Sequence, residues 1–217
     1  MTLDLFDFTP TAQPQEQSLG PGATVLRGFA VADSAQLLAA ITQISQQSPF
    51  RHMTTPGGFQ MSVGMTNCGA AGWVTDRTGY RYDAYDPTTR TRWPAMPTVL
   101  SQLATRAAAR GGFADFLSDA CLINRYEPGS RLSLHQDKNE RDLGAPVVSV
   151  SLGLPAVFLF GGPRREDETR PIPLAHGDVV VWGGPSRLWY HGVRPLKDGE
   201  HPELGRQRIN LTFRKAL

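Results

Sequence analysis

The sequence predicts an α+β protein, mainly β, in which helices brace a sandwich or barrel of strands. The first observation behind this fold class is a series of at least seven short β-rich runs after residue 120, each bounded by Pro, Gly or charged residues. The second is a pair of amphipathic helical patterns that precede these runs. Many short strands separated by turns are typical of sandwiches and barrels, so we expect the strands to form the core.

The first helix is expected over residues 33–47. Asp33 and Gln36 resemble a capping box at its start, and Pro49 ends it. Its inward face carries apolar residues at helical spacing, namely Leu37, Leu38, Ile41 and Ile44.

The second helix lies between Pro97, which suits a first helical turn, and the Gly111-Gly112 pair, which ends it. Its inward face is formed by Val99, Leu100, Leu103 and Ala107. The strands that follow are the runs CLINRY, RLSLHQD, VVSVSLGL, AVFLF, DVVVWGG, RLWYHGV and QRINLTFR.

Three stretches of the chain differ in composition. Residues 1–20 are rich in Pro, Gln and Thr without a sustained period, which predicts a loosely ordered N-terminal arm. Residues 51–93 mix Gly, Thr, Arg and aromatic residues without helical periodicity, which favours an irregular flap of short strands and turns. We expect residues 21–217 to form a single domain, with its strand-rich core in residues 120–217.

Composition excludes several classes of protein. The chain has 217 residues and a net charge of +2, too small to indicate nucleic-acid binding by charge alone. No apolar run approaches the roughly 20 residues that span a bilayer, and the acidic N-terminus lacks the basic leader of a secretory signal. Two cysteines, Cys68 and Cys121, do not make a disulfide framework. We therefore expect a cytoplasmic protein without membrane association.

A metal site is indicated by the run RLSLHQD. Strand alternation places His135 and Asp137 on the same face, and His191 in the later run LWYHGV is the best third ligand. Two histidines and one carboxylate are the facial triad of non-haem iron oxygenases, which leaves coordination positions open. The H-x-D spacing alone is weak, because His135 and Asp137 as a surface pair with a packed His191 explain it equally well.

An anion site is indicated by the run QRINLTFR. Alternation places Arg208, Asn210, Thr212 and Arg214 on one face, and the apolar residues on the other. Two arginines and an amide are costly to bury without anionic partners, so this face either lines a carboxylate site or is the solvent face of an edge strand. In LINRY the same alternation pairs Asn124 with Tyr126.

The order of these motifs resembles a known family. NRYEPG, HQDKNE, YHG and RINLTFR, with TPGGFQMSVGMTNCG upstream, are together similar to the AlkB family of oxidative dealkylases. The resemblance implies a double-stranded β-helix, or jelly roll, and the use of Fe(II), 2-oxoglutarate and O2. It implies that iron is held by His135, Asp137 and His191. It implies that 2-oxoglutarate is bound by Asn124, Arg125, Tyr126, Arg208, Asn210 and Arg214.

The resemblance also implies that residues 51–93 are a nucleotide-recognition flap. Trp73 would stack on an extruded base, with the His135 ring on its other face. The remaining substrate contacts would come from Met65, Tyr80, Arg81, Tyr82, Asn139, Glu140 and Arg165. Where the family motif often has aspartate, this chain has Asn139. An aspartate would attract cationic bases such as N1-methyladenine and N3-methylcytosine, so the preference among lesions stays open.

The function that the resemblance implies is repair of DNA by oxidative demethylation, with release of formaldehyde, succinate and CO2. The expected substrate is alkylated single-stranded DNA, with double-stranded DNA and RNA left open, and the expected state is a monomer. Two alternatives remain at this point. One is a 2-oxoglutarate oxygenase acting on a protein, lipid or small molecule, and the other is a non-catalytic jelly-roll module that binds a metal.

Overall fold

A computed structural model describes residues 16–217. Within that range the elements, in chain order, are β1 Glu16–Gly20, β2 Ala23–Leu26, α1 Ser34–Gln47, β3 Arg51–Thr54, β4 Gln60–Gly69, β5 Gly72–Asp76, β6 Gly79–Asp83, α2 Thr98–Arg110, β7 Ala120–Tyr126, β8 Leu132–His135, β9 Val147–Gly153, β10 Ala156–Phe160, β11 Arg170–Leu174, β12 Val179–Trp182, β13 His191–Val193 and β14 Arg208–Arg214. Short 3-10 turns, Val31–Asp33 and Gly184–Ser186, precede α1 and β13.

The strands of this range form two antiparallel sheets and a separate hairpin. The major sheet has the order β1-β2-β12-β9-β14-β7-β4-β3, and the minor sheet has the order β11-β10-β13-β8. Among the described strands, β5 and β6 pair with each other and with no third strand. The two sheets face each other with both helices against the outside of the major sheet. This is the jelly-roll arrangement that the family resemblance implies.

Two apolar layers hold these elements together. The outer layer packs α1 and α2 against the major sheet, with Leu37, Leu103 and Phe213 among its fully buried side chains. The inner layer lies between the sheets and includes Phe158 and Trp182. One face of the major sheet is covered by the helices, so a site can form only on the face that looks towards the minor sheet.

Helix boundaries agree with the sequence pattern, but their capping differs. The helix α1 starts at Ser34, and Asp33 makes no side-chain cap bond; its carboxylate instead accepts a hydrogen bond from Arg106 at 2.6 Å. The predicted capping box is therefore wrong, because a preceding 3-10 turn already gives Asp33 helical dihedrals. Pro97 is the N-cap of α2 rather than part of its first turn.

The predicted boundaries of the arm and flap need correction. Residues 16–20 form strand β1, paired with β2, and are not a loose arm; residues 1–15 lie outside the described range. Within the predicted flap, β3 and β4 belong to the major sheet, because β4 pairs with β7. The core therefore extends beyond residues 120–217, and only the β5–β6 hairpin and its flanking loops stand apart as a flap. That residues 21–217 form one domain stays a prediction.

The strand β14 is the element that decides the anion-site question. It pairs with β9 on one side and β7 on the other, and all seven of its residues are buried. The solvent-exposed edge strand considered above is therefore excluded. Of the two described helices, neither is long and apolar enough to cross a membrane.

Candidate active site

The three predicted metal ligands converge at one end of the minor sheet. His135, at the end of β8, stands opposite His191 of β13 in the antiparallel register, and Asp137 follows two residues beyond the strand. The Nε2 atoms of His135 and His191 lie 3.8 Å and 3.7 Å from the Asp137 carboxylate oxygens. One ligand atom from each residue lies within 4.8 Å of the other two, a spacing that suits one shared metal ion.

The backbone orients both imidazole rings. The His135 Nδ1 lies 2.8 Å from the Ser133 carbonyl, and the His191 Nδ1 lies 2.9 Å from the Trp189 carbonyl. A ring that donates from Nδ1 to a carbonyl presents an unprotonated Nε2, which is how metal-binding histidines are usually held. Burial, and then the neighbouring His135, lower the pKa of His191 to about 4, which keeps this imidazole neutral and ready to coordinate.

The carboxylate of Asp137 is buried but strongly compensated. Burial alone would raise its pKa, but Arg214, His191 and His135 together hold the pKa well below its ordinary value. The Arg214 guanidinium donates to Asp137 Oδ2 through Nε at 3.0 Å and through Nη2 at 2.7 Å. The carboxylate is therefore ionised and fixed in orientation, with its other oxygen directed towards His135.

The polar face of β14 forms the floor behind the triad. Arg208, Asn210, Thr212 and Arg214 all line one cavity of about 390 Å³, and Asn124 and Tyr126 of β7 line it beside them. The face of β14 that carries Ile209, Leu211 and Phe213 packs in the helix-side layer. The period-2 alternation therefore predicted correctly which side chains of this strand enter the cavity.

Several buried polar atoms on this floor have no hydrogen-bond partner within residues 16–217. They are Asn124 Oδ1, Trp182 Nε1, Arg208 Nε and Nη1, and Arg214 Nη1. All belong to residues that line the cavity. Buried polar groups are nearly always satisfied, so a fully buried arginine with two free donors indicates an anionic ligand. The donor set fits a dicarboxylate next to a metal held by the triad.

The mouth of the cavity is formed in part by the flap. Trp73 of β5 and Tyr80 of β6 line it, and their rings stack at 5.7 Å between centroids. The Trp73 backbone is pinned to β4, because its N–H donates to Asn67 Oδ1 and its carbonyl accepts from Asn67 Nδ2, both at 3.0 Å. Trp73 Nε1 also donates to Asn139 Oδ1 at 3.3 Å. The predicted residues Met65, Asn139 and Arg165 line the same cavity.

Four predicted site residues do not line this cavity. Arg125 lies on the opposite face of β7, with its guanidinium 4.8 Å from the centre of the Phe50 ring, so its predicted contact with 2-oxoglutarate is wrong. Alternation along β7 explains this, because Arg125 stands between Asn124 and Tyr126. The Arg81 guanidinium is bonded to Asp76 at 2.9 Å, and its role in substrate contact stays a prediction.

Tyr82 and Glu140 are the other two residues away from the cavity. The Glu140 side chain is 1% exposed, and the Tyr82 hydroxyl donates to it at 2.7 Å. The Glu140 side chain is therefore closed off from the cavity, and the contacts of Tyr82 and Glu140 with the substrate stay predictions. Glu140 directly follows Asn139, and Tyr82 stands opposite Trp73 in the hairpin; both of these neighbours line the cavity.

Trp182 of the cavity wall, and two residues that hold the wall in place from behind, Ser151 and Arg187, were not predicted. Trp182 contributes an unpartnered indole N–H, and its ring lies 4.9 Å from the His191 ring centre. It belongs to the continuous apolar run DVVVWGG, in which no alternation tells which face is inward. Ser151 accepts a bond from Arg208 Nη2 at 2.9 Å and holds that guanidinium in place. Arg187 donates to the Asp137 carbonyl at 2.7 Å.

Comparisons with known proteins agree with this geometry. The family model described as 2OG-Fe(II) oxygenase superfamily matches residues 22–214. The chain is 58% identical over 212 residues to the alpha-ketoglutarate-dependent dioxygenase AlkB of Salmonella typhimurium, which covers 98% of each chain. It is 43% identical over 110 residues to the DNA N(6)-methyladenine demethylase ALKBH1C of Arabidopsis thaliana, a match that covers 46% of this chain and 24% of that protein.

Among solved structures, that of OsALKBH1 superimposes with a TM-score of 0.81 at 30% identity, covering 93% of this chain and 100% of that one. The structural match covers most of this chain, and so does the family model. The chain is therefore a member of the 2OG-Fe(II) oxygenase superfamily and, within it, an Fe(II)- and 2-oxoglutarate-dependent dioxygenase of the AlkB family.

Proposed function

We propose that this protein is a DNA repair oxidative demethylase that removes N-alkyl groups, such as those of N1-methyladenine and N3-methylcytosine, from DNA. The observation that carries the proposal is a facial triad placed between an anion-binding floor and an aromatic mouth in one cavity. The high identity with a bacterial AlkB dioxygenase and the partial match to a DNA demethylase support it.

We assign iron to His135, Asp137 and His191, and 2-oxoglutarate to the floor of the cavity. When bound, Fe(II) with 2-oxoglutarate and O2 supplies the oxidation of the N-alkyl group, with release of succinate, CO2 and formaldehyde. The protein residues position these groups and exclude water. Arg208, with two unpartnered N–H donors beside the Tyr126 ring, suits the carboxylate that lies furthest from the metal.

The flap is assigned to the damaged base. A methyl group on a Watson–Crick edge does not reach the triad inside a duplex, so the base has to leave the stack. Trp73 offers its ring at the cavity mouth, and the partly exposed His135 ring provides the opposite wall. Stacking on an aromatic side chain contributes roughly 1–3 kcal/mol per base, which offsets part of the cost of extrusion.

Single-stranded DNA is the preferred substrate in this proposal, because it removes the cost of breaking a base pair. Double-stranded DNA and RNA are secondary substrates. We further propose that the protein acts as a monomer in the cytoplasm, in line with two buried cysteines that are both free thiols.

Two other functions are less well supported. An oxygenase acting on a protein, lipid or small molecule would use the same floor, but the stacked Trp73 and Tyr80 rings at the mouth favour a planar base. A non-catalytic metal module would need a closed coordination shell, and structural zinc usually takes four protein ligands. The metal cluster of residues 16–217 offers three.

The test is release of formaldehyde from methylated single-stranded DNA by the purified protein. Release should require both Fe(II) and 2-oxoglutarate. The activity of His135→Ala should be more than about 100-fold lower than that of the wild type. Changes to residues that merely surround metal ligands already lower metal affinity or activity by about 10–100-fold. His52→Ala alters an exposed histidine of β3 and should retain full activity. Equal activity of wild type and His135→Ala would exclude the proposed centre.

A further inference from the structure

Glu140 is a buried carboxylate whose two oxygens both have donors close by. Its Oε1 accepts the Tyr82 hydroxyl at 2.7 Å and lies 3.3 Å from Arg214 Nε, while its Oε2 accepts Arg187 Nη2 at 3.1 Å. The side chain is 1% exposed, so no surface remains for a ligand. Three donors around one buried carboxylate indicate a fixed structural junction.

One side of this junction is the loop that carries the metal ligand Asp137. Arg187 donates to the Asp137 carbonyl at 2.7 Å and to the Ala145 carbonyl at 2.8 Å, as well as to Glu140. Arg214 binds the Asp137 carboxylate and also faces Glu140. Two arginines and two carboxylates therefore form a closed, charge-balanced network that holds residues 137–145 in one conformation.

The other side of the junction is the flap. In the β5–β6 hairpin, Tyr82 stands directly opposite Trp73 in the strand register. That same pair makes a second contact with the loop, because Trp73 Nε1 donates to Asn139, the residue before Glu140. Burial raises the pKa of the Tyr82 phenol well above its ordinary value, so the hydroxyl is a permanent donor. The cross-strand pair of Trp73 and Tyr82 is thus the part of the hairpin that is hydrogen-bonded to the metal-ligand loop.

We infer that Glu140 and Tyr82 are positioning residues that lock the flap to the metal-ligand loop and so fix the height of the Trp73 ring over the cavity. Neither residue contacts the substrate. The kinetic part of this inference rests on the proposed demethylase function, whereas the mechanical part concerns the protein alone. Because a hydrogen bond to a charged acceptor is involved, its loss should be felt over the whole two-stranded hairpin, which pairs with no other strand in the described chain.

The variant Tyr82→Phe tests the inference, because it removes one hydroxyl and keeps the ring. Amide hydrogen exchange of the full chain, without DNA, should accelerate about tenfold or more across residues 72–83 while β9 and β14 are unchanged. In the demethylation assay the KM for methylated DNA should rise about tenfold with kcat within about twofold, since the chemistry at the triad is not altered. Tyr85→Phe removes a hydroxyl from an exposed tyrosine outside the hairpin and should change neither quantity.

The partner variant Glu140→Gln decides whether the two residues act together. In the double variant the effects on hairpin exchange should not multiply, because Tyr82→Phe removes the donor of this bond and Glu140→Gln removes the charge of its acceptor. Unchanged exchange of the hairpin in Tyr82→Phe, or an equal acceleration in β9 and β14, would overturn the inference. An accelerated hairpin in a protein that releases no formaldehyde would instead leave the lock in place and reject the demethylase function. If Glu140→Gln does not fold, the Tyr82→Phe result alone decides.

Discussion

On the floor of the cavity, functional side chains project from a strand that is hydrogen-bonded on both sides, whereas in the flap they project from a hairpin that, within residues 16–217, pairs with no further strand. Arg208 and Arg214 lie on β14 between β9 and β7 and are almost fully buried. Tyr80 is 48% exposed at the flap. The floor is therefore preorganised by the whole sheet, while the flap depends on a few side-chain contacts.

Because of this difference, substitutions on the floor and in the flap should affect activity in different ways. A change on the floor removes a group that nothing else replaces, because the neighbouring backbone cannot move to compensate. A change in the flap alters how firmly the hairpin holds its aromatic rings at the cavity mouth, so its effect is smaller and depends on the substrate.

The substitution Arg208→Gln should impair the floor of the cavity most. This change removes the guanidinium whose Nε and Nη1 have no partner in the described chain, and we expect the KM for 2-oxoglutarate to rise about 100-fold. Iron binding should persist, since Arg208 makes no hydrogen bond to the triad. Steady-state kinetics with 2-oxoglutarate varied, and metal content measured on the same sample, check this.

The matched control for that experiment is Arg206→Gln. Arg206 lies two residues before Arg208 in the chain. Its side chain is exposed and forms a salt bridge with Asp198 at 2.7 Å. Its loss should leave the KM for 2-oxoglutarate unchanged. Equal effects of the two substitutions would mean that general charge, and not the floor, attracts the co-substrate.

The flap is tested by Trp73→Ala. Loss of a stacking ring should lower kcat/KM for methylated DNA by roughly 5- to 150-fold, the range that corresponds to 1–3 kcal/mol. The KM for 2-oxoglutarate should not change, since the floor is intact, and Trp73→Phe should recover part of the loss. A drop in iron content of Trp73→Ala would contradict the separation of the two regions.

The smallest effect is expected where the two regions meet, at Asn139→Asp. Asn139 accepts from Trp73 and follows the metal ligand by two positions, and an aspartate would add a negative charge at the mouth. We expect turnover of cationic N3-methylcytosine to improve about fivefold relative to neutral N3-methylthymine, because a charge pair near 4 Å contributes about 1 kcal/mol in a solvated site. The neutral base is the internal control, and an unchanged ratio would remove the proposed electrostatic role of position 139.

Much of the floor was predictable because its signals are local. Strand alternation identified Arg208, Asn210, Thr212 and Arg214 as one face, and the resemblance of the motifs identified the triad. The flap was predicted less well, because alternation within a short hairpin does not reveal what lies opposite. Three consecutive residues of the hairpin show this. Tyr80 lines the cavity, Arg81 bonds to Asp76, and Tyr82 bonds to Glu140.

Periodicity and motif order in the amino-acid sequence were enough to predict the fold class, the inward faces of the helices and strands, and the residue types for iron and a dicarboxylate, because periods of 2 and 3.6 are properties of the local backbone. Three features became visible in the three-dimensional structure alone. The strand β14 lies inside the sheet, the Arg125 side chain points away from the cavity, and Tyr82 bonds to Glu140, which is 58 residues further along the chain. These contacts depend on how distant strands come together, and the free energy that selects them belongs to the packed molecule as a whole.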